Sequence, residues 1–299
     1  MEVTMAIEAA MELTNRLLSS AQALAAITAQ MRAKAEGRGL QPELHDAVDR
    51  VIDALGARSA LDQLTEPERT VVAAFARSYL RQAADLVEYP FRSSSWSHSD
   101  PTILQAQGKA SGVVARLIRE AGLTTPSMRV LDIGAGVAGL AIALCETFSD
   151  SQVVGIDPWE PSLALAKDNI RDAGLQTRIT LRQVGIQDFE DDAGFDLIWL
   201  PSFFIPPQLI SAAVHRCLTL LRPRGRLIVG VLEGPEDPVA GAVDAMITIR
   251  SGGSVIDPAG AAALLQSAGF SEVAEVRRQW PAPLRLVSGR RGTGSDAAD

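Results

Sequence analysis

The chain has 299 residues, 47% hydrophobic and 21% charged, with a net charge of −8 and a mean hydropathy of +0.11. That apolar fraction excludes a disordered chain, and the length suits two domains better than one. The arginines are scattered rather than gathered in a stripe, which argues against nucleic acid as a substrate, and no apolar run reaches the length of a membrane span.

Residues 1–90 read as an all-helical module. Ala6, Ala10, Leu13, Leu17 and Ala21 keep helical spacing in a segment that runs to about residue 36. Gly37-Arg38-Gly39 interrupts it, and Pro42 opens a second helix to about Leu55. Thr65, with Glu68 three residues on, forms a capping-box pattern for a helix ending near Val87. The opening Met1-Glu2-Val3 lacks the basic lead of a signal peptide. Cys145 and Cys217 are the only cysteines; both fall on apolar helical faces, so a cytoplasmic protein with two buried free thiols is expected. The module has two open readings. It is a stability and homodimerisation element, or a lid that keeps water from a site in the next domain.

Residues 91–124 are expected to form a connecting loop and a helix. The segment Glu88–Pro101 is too polar and punctuated for a regular element, yet it concentrates Tyr89, Phe91, Trp96 and His98. Loops held by a rigid scaffold often carry binding residues, which nominates Tyr89, Arg92 and Trp96 as substrate contacts. His98, which titrates near neutrality, is the candidate general base. The alternative is a linker whose aromatics plug the domain junction. Asp100 as N-cap and Pro101 at the first position open a helix to about Ala121.

From residue 125 strands and helices alternate. Val130–Gly139 reads VLDIGAGVAG, a buried strand turning through glycines into a helix. Gly134 and Gly136 permit a positive φ and close approach of a ligand, and Gly139 is expected to let the helix pack close to the strand. Asp132, at the strand end, would repel phosphate but suit a cationic amino-acid group. Asp157 follows the second strand, Gln152–Ile156, placed to accept hydrogen bonds from two ribose hydroxyls. Asp188-Phe189 follows a third strand, Thr180–Val184, where the pair would read an adenine amino group and pack on its ring.

The fourth strand, Phe195–Leu200, runs into Pro201, and Leu221–Gly230 holds a helix exit, a turn and a fifth strand. A loop at 233–238 precedes a helix near Val239–Arg250. Asp257-Pro258 caps another helix that ends at Gly269. Two last strands are expected at Ser271–Gln279 and Leu284–Ser288, followed by a disordered tail, Arg290–Asp299. No His/Cys/Asp cluster has metal-ligand spacing.

The motifs VLDIGAGVAG, GIDPWEPSLALAKDN, GIQDF, FDLIWLP and LRPRGRLIVG stand in one order and spacing. Over residues 126–289 the chain resembles the class I S-adenosylmethionine-dependent methyltransferases, with QSAGFSEVAEV and PAPLRLVSGRR matching that family's C-terminal hairpin region. The resemblance implies an α/β fold: a doubly wound, mostly parallel seven-stranded sheet of the Rossmann-like methyltransferase type over residues 125–289, preceded by the all-helical domain. It implies S-adenosylmethionine as cofactor, S-adenosylhomocysteine as product, and no metal. By the same resemblance Gly134, Ala135 and Gly136 contact the methionine end, Asp132 orients that loop or meets the amino group directly or through water, and Gly139 belongs to the cofactor-binding set. Asp157 chelates the ribose with Pro158 and Trp159 beside the adenine, Asp188 and Phe189 hold the base, and Gln187, Leu200 and Pro201 complete the cofactor-binding set.

One departure bears on the acceptor. Many members place polar residues after the fourth strand, where this chain reads Leu200-Pro201-Ser202-Phe203-Phe204-Ile205-Pro206-Pro207. That suggests an apolar or aromatic small-molecule acceptor in specialised metabolism, methylated on O, N or C, with Phe203 and Phe204 as contacts or as core. Methyl transfer from a sulfonium needs positioning and water exclusion more than a base, so the family carries over no fixed catalytic residue. Two alternatives stay open: a non-methylating use of the cofactor, such as intramolecular cyclisation, and a non-catalytic binding subunit.

Overall fold

A computed structural model of the protein describes residues 2–123, 127–232, 237–277 and 284–293. It divides into two compact units, Met1–Pro90 and Phe91–Asp299.

The first unit is four helices: α1 (Glu2–Ala35), α2 (Pro42–Ala54), α3 (Arg58–Asp62) and α4 (Glu66–Glu88). The short α3 carries no periodicity to betray it. The Thr65 capping box forms, with its backbone N–H and hydroxyl donating to the Glu68 carboxylate at 2.8 and 2.7 Å. α1 packs on α2 and α4, burying Met31, Val48, Ile52 and Ala73. Nearer its start, α1 leaves Ile7, Met11, Leu17 and Leu18 more than half exposed.

The second unit begins with α5 (Pro101–Glu120), whose N-cap Asp100 accepts from the Thr102 N–H at 2.8 Å. Then follow β1 (Arg129–Ile133), α6 (Gly139–Thr147), β2 (Gln152–Ile156), α7 (Glu160–Asp172), β3 (Ile179–Arg182) and β4 (Phe195–Pro201). The rest is α8 (Ile210–Leu220), β5 (Leu221–Leu232), α9 (Pro238–Arg250), α10 (Pro258–Ser267), β6 (Ser271–Glu275) and β7 (Leu284–Arg290). The sheet order is β3-β2-β1-β4-β5-β7-β6. The first five strands are parallel, and β7 runs antiparallel to both β5 and β6.

Strands covered on both faces read as continuous apolar runs, because each alternate residue meets a different helical layer. In β4, Leu197 and Trp199 enter one core while Ile198 and Leu200 enter the other. The chain winds outward from β1 to β3 and returns to β4 beside β1, which leaves a crevice at the carboxyl ends of these strands.

Several boundaries differ from expectation, among them β3, which spans Ile179–Arg182 rather than Thr180–Val184. β6 ends at Glu275, while 278–283 and the loop residues 233–236 lie outside the described residues, as do 294–299 of the expected tail. Arg290 and Arg291 are ordered, not tail. Arg290 closes β7 and pairs with Glu272 at 3.1 Å, and the Arg291 N–H donates to the Gly225 carbonyl at 2.9 Å.

Candidate active site

At the carboxyl ends of β1 and β2 lies a cavity of about 550 Å³, a size ordinary for a small-molecule site. Its floor is the turn Gly134–Val137. Gly134 and Gly136 have φ of +69° and +56°, the left-handed region that glycine enters without Cβ strain. Ala138 follows at φ +66°, a conformation costly for a residue with a Cβ and held here by complete burial. The Gly134 and Ala135 N–H groups both donate to the Ile156 carbonyl, at 2.9 and 3.0 Å, so the turn is bolted to the end of β2.

Asp157 holds the other side of that turn. Its Oδ2 accepts from the Gly136 N–H at 2.9 Å, and its Oδ1 accepts from the Trp159 N–H at 2.8 Å. Each oxygen retains a lone pair for a further donor. Burial pushes its pKa upward, against the pull of these two hydrogen bonds.

Asp132 sits behind the turn, 2% exposed, and its Oδ2 has no hydrogen-bond partner. Burial first, and the Asp157 charge second, push its pKa to about 7, with the Ala141 N–H opposing. A buried, unpartnered carboxylate oxygen beside a glycine cradle fits a ligand carrying a cationic group. The site thus has the charge and the acceptor oxygens to fit S-adenosylmethionine, with Asp132 standing behind the cradle and not in the cavity lining.

The other half of the cavity is apolar. Trp96, Phe204, Pro206, Pro207, Leu209 and Ile249 line it, with Gln208 as a polar point, while Leu104, Gln107 and Ser111 of α5 line the cavity over the cradle. Trp96 packs edge-on against Phe204, with ring centroids 5.0 Å apart. This wall is clasped from behind. The Ser254 N–H donates to the Ser202 carbonyl at 3.0 Å, its hydroxyl donates to the Ile205 carbonyl at 2.7 Å, and the Ser95 N–H donates to the Arg250 carbonyl at 3.2 Å. Among the described residues lining the cavity, Asp157 alone has an ionisable side chain.

Of the residues the sequence nominated, the cavity brings together Gly134, Ala135, Gly136, Asp157, Pro158, Trp159, Gln187, Trp96 and Phe204. The others lie elsewhere. Gly139 faces α5, not the strand: a Cβ there would overlap the Gly108 backbone. The short helical turn Ile186–Asp188 points Asp188 to solvent and sends Phe189, 1% exposed, into the core against Phe195. Leu200 and Pro201 are buried in β4, with the Pro201 ring behind Gly134. Phe203 packs on the core and on Phe204.

Arg92 ties down its own loop, donating to the Ser95 carbonyl at 2.9 Å and the Ser97 hydroxyl at 2.6 Å. Tyr89 caps the end of α4 in the first unit and is 63% exposed. The His98 ring packs edge-on against Trp96 and is not part of the cavity lining. Sequence reasoning passed over Gln107, Gly108 and Ser111. Their shared face with Leu104 on α5 was the available signal, at spacings of three, four and seven.

Residues 130–225 match the protein family described as "Methyltransferase domain". Over 135 residues the chain is 32% identical to a release factor glutamine methyltransferase of Rhodopirellula baltica, covering 44% of each chain. Over 107 residues it is 34% identical to a ubiquinone biosynthesis O-methyltransferase of Rhodopseudomonas palustris, covering 35% of this chain and 40% of that one. The chain thus spans under half the length of these curated relatives. Human N-acetylserotonin methyltransferase, solved in complex with S-adenosylmethionine, has a similar fold, with a TM-score of 0.68 at 14% identity over 95% of this chain and 98% of that one.

Residues 130–225, within the second unit, thus match a methyltransferase domain. The seven-stranded sheet of that unit has the Rossmann-like methyltransferase fold.

Proposed function

We propose that the protein transfers a methyl group from S-adenosylmethionine to an apolar or aromatic small molecule, on O, N or C, in specialised metabolism. The observation that carries this reading is one cavity with two unlike halves. Asp157 and the Gly134–Gly136 turn face the wall of Trp96, Phe204 and Pro206. The ubiquinone-biosynthesis relative and the N-acetylserotonin enzyme, each named for small-molecule chemistry, support the acceptor class.

In this reading the turn's backbone holds the methionine end, with Asp132 supplying charge complementarity. Asp157 takes the ribose hydroxyls on its remaining lone pairs, and Trp159, Ile186 and Gln187 flank the adenine. The bound cofactor supplies an electrophilic sulfonium methyl. The chain's own contribution is to align the acceptor and exclude water with its aromatic wall. Asp157 is already engaged by two N–H groups and His98 lies outside the cavity lining, so this reading assigns no general base.

The same reading takes the protein as a cytoplasmic homodimer joined through its N-terminal helices. The two free buried thiols support the compartment. The exposed Ile7, Met11, Leu17 and Leu18 on α1 support the pairing.

The test is incubation of the purified protein with S-adenosylmethionine and a panel of phenols and aromatic amines, followed by mass spectrometry. The expected result is an acceptor heavier by one methylene, with S-adenosylhomocysteine formed in equal amount. Methylthioadenosine with no methylated acceptor would contradict it.

A further inference from the structure

Trp159 does more than border the cofactor half of the cavity. Its indole N–H donates to the His98 carbonyl at 2.8 Å, across 61 residues of sequence. His98 belongs to the loop between Phe91 and α5, and its ring packs on Trp96 at 5.0 Å between centroids. Trp96 in turn packs on Phe204 of the acceptor wall. A continuous line of contact therefore runs from the residue two places after Asp157, through one hydrogen bond, to the aromatic rings that would face an acceptor.

The anchoring of Trp159 is one-sided. Its own N–H is held by Asp157 at 2.8 Å, so the backbone at this point moves with the carboxylate assigned to the ribose. The loop at 92–98 has other ties, from Arg92 to Ser95 and Ser97 and from Arg250 to the Arg92 carbonyl. None of those starts in the cofactor half. The Trp159–His98 bond does.

We propose that Trp159 is a positioning residue that couples cofactor occupancy to the acceptor wall: a bound cofactor braces the Trp159 indole, and the indole braces His98 and hence Trp96. The wall is then fully formed only when the methyl donor is in place, which favours cofactor binding before acceptor. This rests on the cofactor reading given above.

The test is hydrogen exchange of the wild type and of Trp159→Phe, each with and without saturating S-adenosylhomocysteine. Phenylalanine keeps an aromatic ring and removes the donor. In the wild type the ligand is expected to slow exchange at the glycine turn, 134–139, and in the loop 92–100, the latter by about three- to tenfold, the range one hydrogen bond supports. In Trp159→Phe, with the ligand raised until 134–139 is slowed as far as in the wild type, the increment in 92–100 disappears.

If the variant keeps that increment, even on a uniformly faster loop, Trp159 is merely structural and the proposal fails. It also fails if slowing in the wild type is confined to 134–139. No slowing anywhere in the wild type would instead overturn the cofactor reading, and this proposal with it.

Discussion

The carboxylate of Asp157, at the end of β2, accepts the backbone N–H of Gly136, in the turn that leaves β1, at 2.9 Å. One side chain thus shapes the glycine cradle and faces the cavity beside it. Asp157→Ala is expected to weaken S-adenosylmethionine binding at least about tenfold, the scale of a lost charge-assisted hydrogen bond. It should also speed hydrogen exchange at 134–138 without any ligand. A residue that only contacted the ribose would change the first measurement and leave the second alone.

Asp132 should show the trade between stability and binding that a site residue displays. Burial holds its pKa at about 7, above the ordinary 3.8, so the ionised form is the costly one in the fold. The cost is absent below the unfolded value, grows as pH rises between the two, and is complete above pH 7. Asp132→Asn removes it. The ligand-free variant should therefore melt higher than wild type at pH 8, and the gap should shrink towards pH 4. Its affinity for S-adenosylmethionine at pH 8 should fall. Thermal melts across pH, with and without ligand, check both signs.

Close packing of α5 on the cradle is a third point of test. A Cβ on Gly139 would overlap the Gly108 backbone, and one on Gly108 would overlap the Val137 side chain. Gly139→Ala should cost about 1–3 kcal/mol, as overpacking does, and lower the melting temperature by several degrees. Because α5 carries Gln107 and Ser111 into the cavity, turnover should fall as well. An unchanged melting curve would show that the two helices do not meet as described.

For the acceptor half, Trp96→Ala should lower kcat/KM for the acceptor found in the mass-spectrometric panel by about tenfold or more, as loss of a large ring from a packed apolar pocket does. Cofactor affinity should move far less, since Trp96 touches Phe204 and His98 rather than the glycine turn. Steady-state kinetics and calorimetry separate the two effects.

The sheet was legible in the sequence because strands buried on both faces appear as apolar runs, and because Asp100, Asp257 and Thr65 mark helix starts with their own side chains. Asp157 was legible from its place after the second strand, though not its bond to Gly136, which joins residues 21 apart. The contribution of α5 was hidden. The shared face of Leu104, Gln107, Gly108 and Ser111 was its one signal, and it gains meaning only when the close approach of Gly108 and Gly139 sets that face over the cradle. Phe189 misled for a related reason. An aromatic after a strand suits an adenine or a core equally, and the turn at Ile186–Asp188 decides for the core. The turn at Ser251–Ser254 acts through backbone contacts to Ser202, Phe203 and Ser95, which no residue pattern announces.

The most direct measurement is calorimetric titration of the purified protein with S-adenosylmethionine and S-adenosylhomocysteine at pH 8, with Asp157→Ala alongside. Saturable one-site binding of both compounds by the wild type, lost or weakened at least about tenfold in the variant, is the predicted result. Well-folded wild type that releases no heat with either compound would contradict the assignment of this cavity to the cofactor.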